Sequence, residues 1–236
     1  RYANGSEDND YGSGPNQQGF DTTSVAAYHG GDFIGLKENL DRIARLGFNS
    51  IWITPPVVND FKGYHGYWGL DFTTIDPHLG TEEDFKNFVS EAHARGIKVI
   101  VDIVVNHTGD IIKYKGDVYS YSDLASYPYK DCSGKKIDIT KYIGKANFPK
   151  LCAAKSFPVP PTVSDKNKNV KAPAFLNDIT NYHNRGDSTF SGESSTFGDF
   201  FGLDDVFTEK PGVVKGWIKN WQDWITKFDI DGYRID

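Results

Sequence analysis

Arg234 and Asp236 lie two residues apart in the segment Asp231-Gly-Tyr-Arg234-Ile-Asp236. On a β-strand that spacing sends both side chains to one face. A carboxylate in a closed interior needs a partner, and an adjacent guanidinium both supplies one and favours the ionised form. An ionised, desolvated carboxylate at a strand end is a candidate nucleophile or base. The same pair also suits a structural ion pair. A second group is Asp102-Ile-Val-Val-Asn106-His107. Asp102 interrupts a run of Val and Ile and requires a buried donor, for which Arg234 on a neighbouring strand is the expected source. Alternation puts Asp102 and Asn106 on one face and His107 on the other, so the strand must bend if all three serve one site. The third group is Gly63-Tyr64-His65-Gly66-Tyr67-Trp68-Gly69. Its Tyr67 and Trp68 rings suit stacking on a sugar face, or packing as rim or core aromatics.

Each group needs an element to hold it. Leu36, Leu40 and Ile43 recur at helical spacing over 35–46, and Gly47 can end that helix. Ile51-Trp-Ile-Thr54 reads as a short buried strand stopped by Pro55-Pro56. Thr81-Glu-Glu-Asp84 opens a second helix as a capping box with a shortened acid. Phe85, Phe88, Val89 and Ala92 form its apolar stripe, and Gly96 its end. The near-continuous apolar run 97–105 reads as a strand covered on both faces. Pro211 starts a third helix, with an expected buried stripe of Val214, Trp217, Ile218, Trp221, Ile225 and Phe228. Residues 230–236 form a last strand. Helix–strand alternation predicts a parallel α/β sheet, whose functional groups gather at the C-terminal strand ends. Between 108 and 203 the pattern breaks into Gly, Ser, Asn, Asp, Lys and Pro, too long for an ordinary connection and read as an inserted subdomain. Residues 1–20 read as a polar loop.

Composition narrows the classes. The chain has 236 residues, 38% of them hydrophobic, which excludes a disordered segment. Lys+Arg 26 against Asp+Glu 32 leaves no basic excess for nucleic acid. No run of about 18 apolar residues exists to span a membrane. The 5 Trp, 13 Tyr and 16 Phe are numerous: many must be core, and rings at a cleft also suit stacking on sugar or base faces. Cys132 and Cys152 read as either a disulfide or two isolated thiols. With no Met and no apolar leader at Arg1, a mature or cut form is expected.

The order GYW, DxxxNH and GYRID, with one helix between strands and a long insert after the second motif, resembles the α-amylase family of glycoside hydrolases. Leu203-Asp204-Asp205 extends the resemblance. Tyr182-His183-Asn184-Arg185-Gly186-Asp187 and Phe201-Gly-Leu-Asp-Asp205 look like secreted bacterial members. The resemblance implies a (β/α)8 TIM barrel, partial in this chain, with residues 51–54, 97–105 and 230–236 as strands 2, 3 and 4. It implies barrel at 1–107, an irregular β-rich inserted domain at 108–203, and barrel again at 204–236. Asp236 would be the nucleophile and Arg234 its positioning arginine. His107 and Tyr67 would bind the sugar at the cleavage point, with His65 and Trp68 as further candidates. The acid/base Glu of strand 5 and an Asp after strand 7 would fall beyond residue 236. The implied activity is retaining hydrolysis of α-1,4-glucans outside the cell. A glucan transferase of the same family, or an amylase-like binding protein, is the alternative.

The resemblance also implies Ca2+. One site would use Asn106 and Asp205, with Asp204 as competitor. A second would use the loop Asn4, Ser6, Asn9 and Asp10 with Gly30 and Asp32, as in cyclodextrin glucanotransferases. These are hard oxygen donors, without the His and Cys ligands of a zinc site. A solvated acidic loop is the other reading of the second cluster.

Overall fold

The structure, a computed structural model, describes residues 2–11, 19–60 and 63–236. In chain order the elements are α1 (Phe33–Glu38), α2 (Leu40–Arg45), β1 (Ser50–Ile53), β2 (Val57–Asn59), β3 (Gly69–Ile75), α3 (Glu82–His93), β4 (Lys98–Ile103), β5 (His107–Thr108), β6 (Lys113–Tyr114), β7 (Pro161–Thr162), α4 (Ser194–Phe197), β8 (Asp204–Asp205), α5 (Pro211–Phe228) and β9 (Gly232–Ile235). They fall into two compact units, 1–104 with 220–236, and 105–219. Of the loop expected over 1–20, Arg1 and 12–18 lie outside the described residues. Among those described it contains a 3-10 turn at Glu7–Asn9.

In the first unit β1, β4 and β9 form a parallel sheet in the order β1-β4-β9. Val99, Val101 and Ile103 are buried on one face of the central strand, while on the other Lys98 is exposed, Ile100 half-buried and Asp102 buried. Helix α3 begins on the expected capping box: the Thr81 side chain accepts from the Asp84 N–H, and the Asp84 carboxylate accepts from the Thr81 N–H at 2.8 Å. Its Phe85, Phe88, Val89 and Ala92 are buried, each large apolar side chain contributing about 1.5–3 kcal/mol. Phe33 of α1 packs on Phe85 and Phe88, and Phe228 of α5 meets Phe85 edge-on at 5.0 Å.

Three expectations change, and one strand pair was not expected. The helix expected over 35–46 is two short helices, because Asn39 leaves helical geometry and its side chain donates to the Gly35 carbonyl at 2.8 Å. The strand expected at 97–105 ends at Ile103. An antiparallel pair, β2–β3, was hidden in the sequence by two register shifts. Helix α5 is turned from its expected stripe. Val214, Ile218 and Ile225 are exposed at 41%, 52% and 45%. Trp217, Trp221 and Phe228 are buried as expected, and Val213, Asn220 and Trp224 are buried in place of the other three. Two apolar rows run side by side on this helix. Within the first unit, the Trp224 indole N–H and the Asn220 amide both donate to the Phe72 carbonyl, at 2.8 and 3.1 Å, which fixes the inward row.

The second unit has little regular structure. Two-residue pairs, β5–β8 and β6–β7, frame a core of Tyr129, Ile139, Leu151, Phe157 and Phe207. Cys132 and Cys152 are disulfide-bonded across 20 residues. Arg185 is 1% exposed, lies 4.7 Å over the Tyr129 ring and donates to the Tyr127 carbonyl at 2.8 Å.

Candidate active site

The parallel register sets Asp102 of β4 beside Arg234 of β9. Adjacent in-register positions share a face, so the guanidinium meets the carboxylate directly. Arg234 NH1 donates to both oxygens of Asp102, at 3.3 and 3.2 Å, and also to Asp236 Oδ1. The Asp236 N–H donates to the Ile103 carbonyl at 2.9 Å, which continues the ladder past β9. Arg234 also lies 5.4 Å over the Trp52 ring of β1.

Burial divides the two carboxylates. Asp102 is fully buried, whereas the Asp236 side chain keeps 35% of its exposure. Asp236 was expected to be desolvated. Asp236 is the last residue of the chain, on the outer strand of a sheet that is not closed here, so this exposure does not test that expectation. Asp102 is the buried carboxylate that required a donor, and it has two. Besides Arg234, the Tyr67 hydroxyl donates to Asp102 Oδ2 at 2.9 Å. Burial first, and then that hydrogen bond, push the Tyr67 hydroxyl up to about 12. Burial opposes the charge on Arg234, but Asp236 and Asp102 outweigh it and raise its pKa.

Tyr67 is held by a tight loop between β2 and β3. Gly66 takes φ +94, and a Cβ there would sit 2.2 Å from the Pro55 carbonyl, so the turn demands glycine. The Tyr67 N–H donates to His65 Nδ1 at 3.0 Å, which fixes that nitrogen as the acceptor. The His65 ring meets Trp68 edge-on at 4.7 Å and lies 5.9 Å from the Tyr67 ring. Tyr67 and Arg234 therefore converge on Asp102, Arg234 links Asp102 to Asp236, and His65 and Trp68 pack beside Tyr67. Trp52 under Arg234 was missed. The strand expected to be buried at 51–54 is half-exposed in this chain, with Ile51 and Ile53 half-buried and Trp52 exposed.

The second unit holds the other predicted groups. His107 is 6% exposed and stacks on Phe200 with ring centroids 5.6 Å apart. It belongs to β5, not to the expected strand, so the bend is a change of element. Asn106 donates from Nδ2 to Asp205 Oδ1 at 3.1 Å. Asp205 Oδ2 bonds His183 Nδ1 at 2.5 Å, and His183 Nε2 bonds Glu209 at 2.8 Å. Burial opposes a charge on His183, but the two carboxylates overcome it and raise the imidazole to about 9. Asp204 instead pairs with Lys171 Nζ at 2.5 Å and accepts from the Ile111 and Ile112 N–H groups. His183, Glu209 and Lys171 were not foreseen. A buried aspartate needs a cation or hydrogen-bond donors, but nothing local to Asp204 or Asp205 marks which residues supply them.

In the N-terminal loop, Asp32 caps α1 by accepting from Gly35 N–H at 2.7 Å. It also accepts from Gly5 and Ser6 N–H and from Asn9 Nδ2, each at 3.0 Å. Asn4 Nδ2 donates to Asp10 at 3.1 Å, and the Ser6 hydroxyl accepts from Asp8 N–H. Gly30 lies so close that a Cβ would sit 2.6 Å from the Asn4 amide and 2.8 Å from the Asp10 carboxylate. Asn9 Oδ1 is buried without a hydrogen-bond partner. A buried orphan amide oxygen beside the buried carboxylate of Asp10 is chemistry that fits a hard cation. Asn106 and Asp205 fit it in donor type. Among the described residues no three His, Cys, Asp or Glu side chains converge as a metal site. Either shell would therefore need amide and carbonyl oxygens as well.

The family model described as "Alpha amylase, catalytic domain" matches residues 1–236. An α-amylase of Streptomyces lividans is 48% identical over 92% of this chain, which covers 25% of that protein. A cyclomaltodextrin glucanotransferase of Geobacillus stearothermophilus is 30% identical over 91% of this chain, covering 26% of its own length. The crystal structure of an Anoxybacillus α-amylase superposes with TM-score 0.58 and 32% identity over 99% of this chain and 38% of that one. The chain thus spans about a quarter of the length of these curated relatives. Its three parallel strands are part of a TIM barrel whose sheet is not closed here. The chain belongs to the α-amylase family, as part of its catalytic domain.

Proposed function

We propose that this chain carries the nucleophile-bearing part of a retaining glycosidase acting on α-1,4-linked, starch-type glucans. The observation that carries the reading is the single guanidinium shared by a buried and a partly open carboxylate at the C-terminal ends of parallel strands. Asp102, held by Tyr67, anchors Arg234, and Arg234 orients one oxygen of Asp236. Asp236 attacks the anomeric carbon through an oxocarbenium-like transition state and forms a covalent glycosyl-enzyme. A second carboxyl group about 5–5.5 Å away, supplied by a Glu outside these residues, protonates the leaving oxygen and then activates water. Tyr67 offers its ring to the sugar, with His65 and Trp68 as further binding groups. In the second unit His107 is the sugar-binding candidate.

A glucan transferase is the second reading, favoured by the relative of that name matching 91% of this chain. It differs only in whether water or a sugar hydroxyl resolves the intermediate, and product analysis on starch separates the two. Calcium, when bound, would neutralise buried carboxylates and tie loops together. Asn106 and Asp205 would hold one ion, and Asn4, Ser6, Asn9, Asp10, Gly30 and Asp32 another. The disulfide supports secretion into an oxidising compartment. Among the described residues no helix is long and apolar enough to cross a membrane.

The test is Asp236→Asn in a protein carrying the complete barrel. Turnover of starch is expected to vanish while maltooligosaccharide binding persists. Retained turnover would overturn the nucleophile assignment.

A further inference from the structure

Residues 130–170 carry nine lysines against three aspartates, with no Arg or Glu. That is a net +6 within a chain whose total is −6. All nine lysines are exposed. The backbone gathers five of them around the Cys132–Cys152 disulfide. Lys130 bridges antiparallel to Lys136, the Asp131 N–H donates to the Lys135 carbonyl at 2.9 Å, and the Lys130 N–H donates to Ser156 at 3.1 Å. Lys150 precedes Cys152 by two residues, and the Lys155 N–H donates to the Cys152 carbonyl at 3.0 Å. The ion pairs within this stretch, Lys141–Asp138 and Lys168–Asp165, involve none of these five. Such a concentration of one sign costs self-repulsion that a merely solvated surface does not need.

We propose that this lysine collar is a docking surface for phosphate-bearing α-glucan. The proposal rests on the α-glucan reading above and narrows its substrate class. Lysine is a point charge without the guanidinium fork, so it suits scattered phosphate monoesters rather than one fixed anion geometry. Single-stranded nucleic acid would want exposed rings among the charges. Here Tyr142 and Phe148 are half-buried and Phe157 is buried. A lipid surface would want an amphipathic helix. The helical structure in this stretch is two 3-10 turns, at Ile139–Tyr142 and Asp165–Asn167.

The test compares co-sedimentation with phosphorylated amylopectin and with the same polymer after phosphatase treatment, using a protein that carries the complete barrel. Binding at about 20 mM salt is expected to be at least about fivefold tighter to the phosphorylated polymer. The difference should disappear by about 0.5 M salt, where the screening length falls to a few Å. Replacing Lys130, Lys135, Lys136, Lys150 and Lys155 together by Gln should abolish the preference and leave turnover of neutral maltooligosaccharides unchanged. Equal binding to both polymers, or a preference that survives the substitutions, would overturn the proposal. So would tighter binding to duplex DNA of matched phosphate concentration. Absence of glucan turnover would instead overturn the enzyme reading, and the binding comparison would still report on the collar.

Discussion

The two units use buried charge in opposite ways. At the strand ends of the first unit, one guanidinium is divided between Asp102 and Asp236, and Asp236 stays partly open. In the second unit the charges are closed off in pairs. Lys171 is matched to Asp204, and His183 sits between Asp205 and Glu209. Asp199 accepts from the Tyr114 hydroxyl at 2.5 Å. The difference teaches where chemistry is available. A carboxylate held on one side and open on the other can meet a ligand. A carboxylate with every oxygen engaged in the interior fixes the path of a chain that lacks long helices and sheets.

The contrast breaks first at Asp236. In a complete barrel, Asp236→Asn is expected to lower turnover on the order of 10^4-fold or more, because a neutral amide cannot form the glycosyl-enzyme. The melting temperature should hardly move, since Asp102 still holds Arg234. Matched kinetics and melting curves read both quantities. A large loss of stability with little loss of turnover would reverse the assignment of roles.

Lys171→Met is the corresponding break in the second unit. It strands Asp204 in the interior with only the Ile111 and Ile112 N–H groups as donors. Removing one partner of a buried pair costs about 3–5 kcal/mol. Equilibrium urea unfolding measures it, and the double change Lys171→Met with Asp204→Leu should recover much of the loss. A single substitution costing under about 1 kcal/mol would show that this pair does not shape the unit. Opening the disulfide with Cys132→Ser and Cys152→Ser sharpens the same point. Releasing a loop of this separation is expected to cost about 3 kcal/mol, read by the same unfolding curves.

The two units were also unequally legible in the sequence. Parallel strands announce themselves by apolar runs, and the Thr81–Asp84 box by its spacing, so the frame of the first unit could be read directly. Arg234 and Asp236 followed from strand periodicity. The facing of α5 could not, because two apolar rows compete and the Phe72 carbonyl that selects one lies about 150 residues away. The ion pairs of the second unit carry no period at all. Lys171 and Asp204 are 33 residues apart, and nothing local to either marks the other.

The smallest effect tests whether Asp102 is anchored as described. Tyr67 donates to it, and burial together with that bond raises the phenol from 10.0 to about 12. The folded protein therefore keeps a proton that the unfolded chain releases at the ordinary value. The sign follows: this contribution to stability is full below about pH 10 and is lost as pH rises through about 12. Tyrosinate absorbance of the native protein and of Tyr67→Phe should coincide up to about pH 11, because Tyr67 has not yet ionised. A step near pH 10 present in the native protein and missing in Tyr67→Phe would mean that the hydroxyl is not held by Asp102. Arg234 would then be the sole anchor of the buried carboxylate, and the guanidinium would have less freedom to serve Asp236.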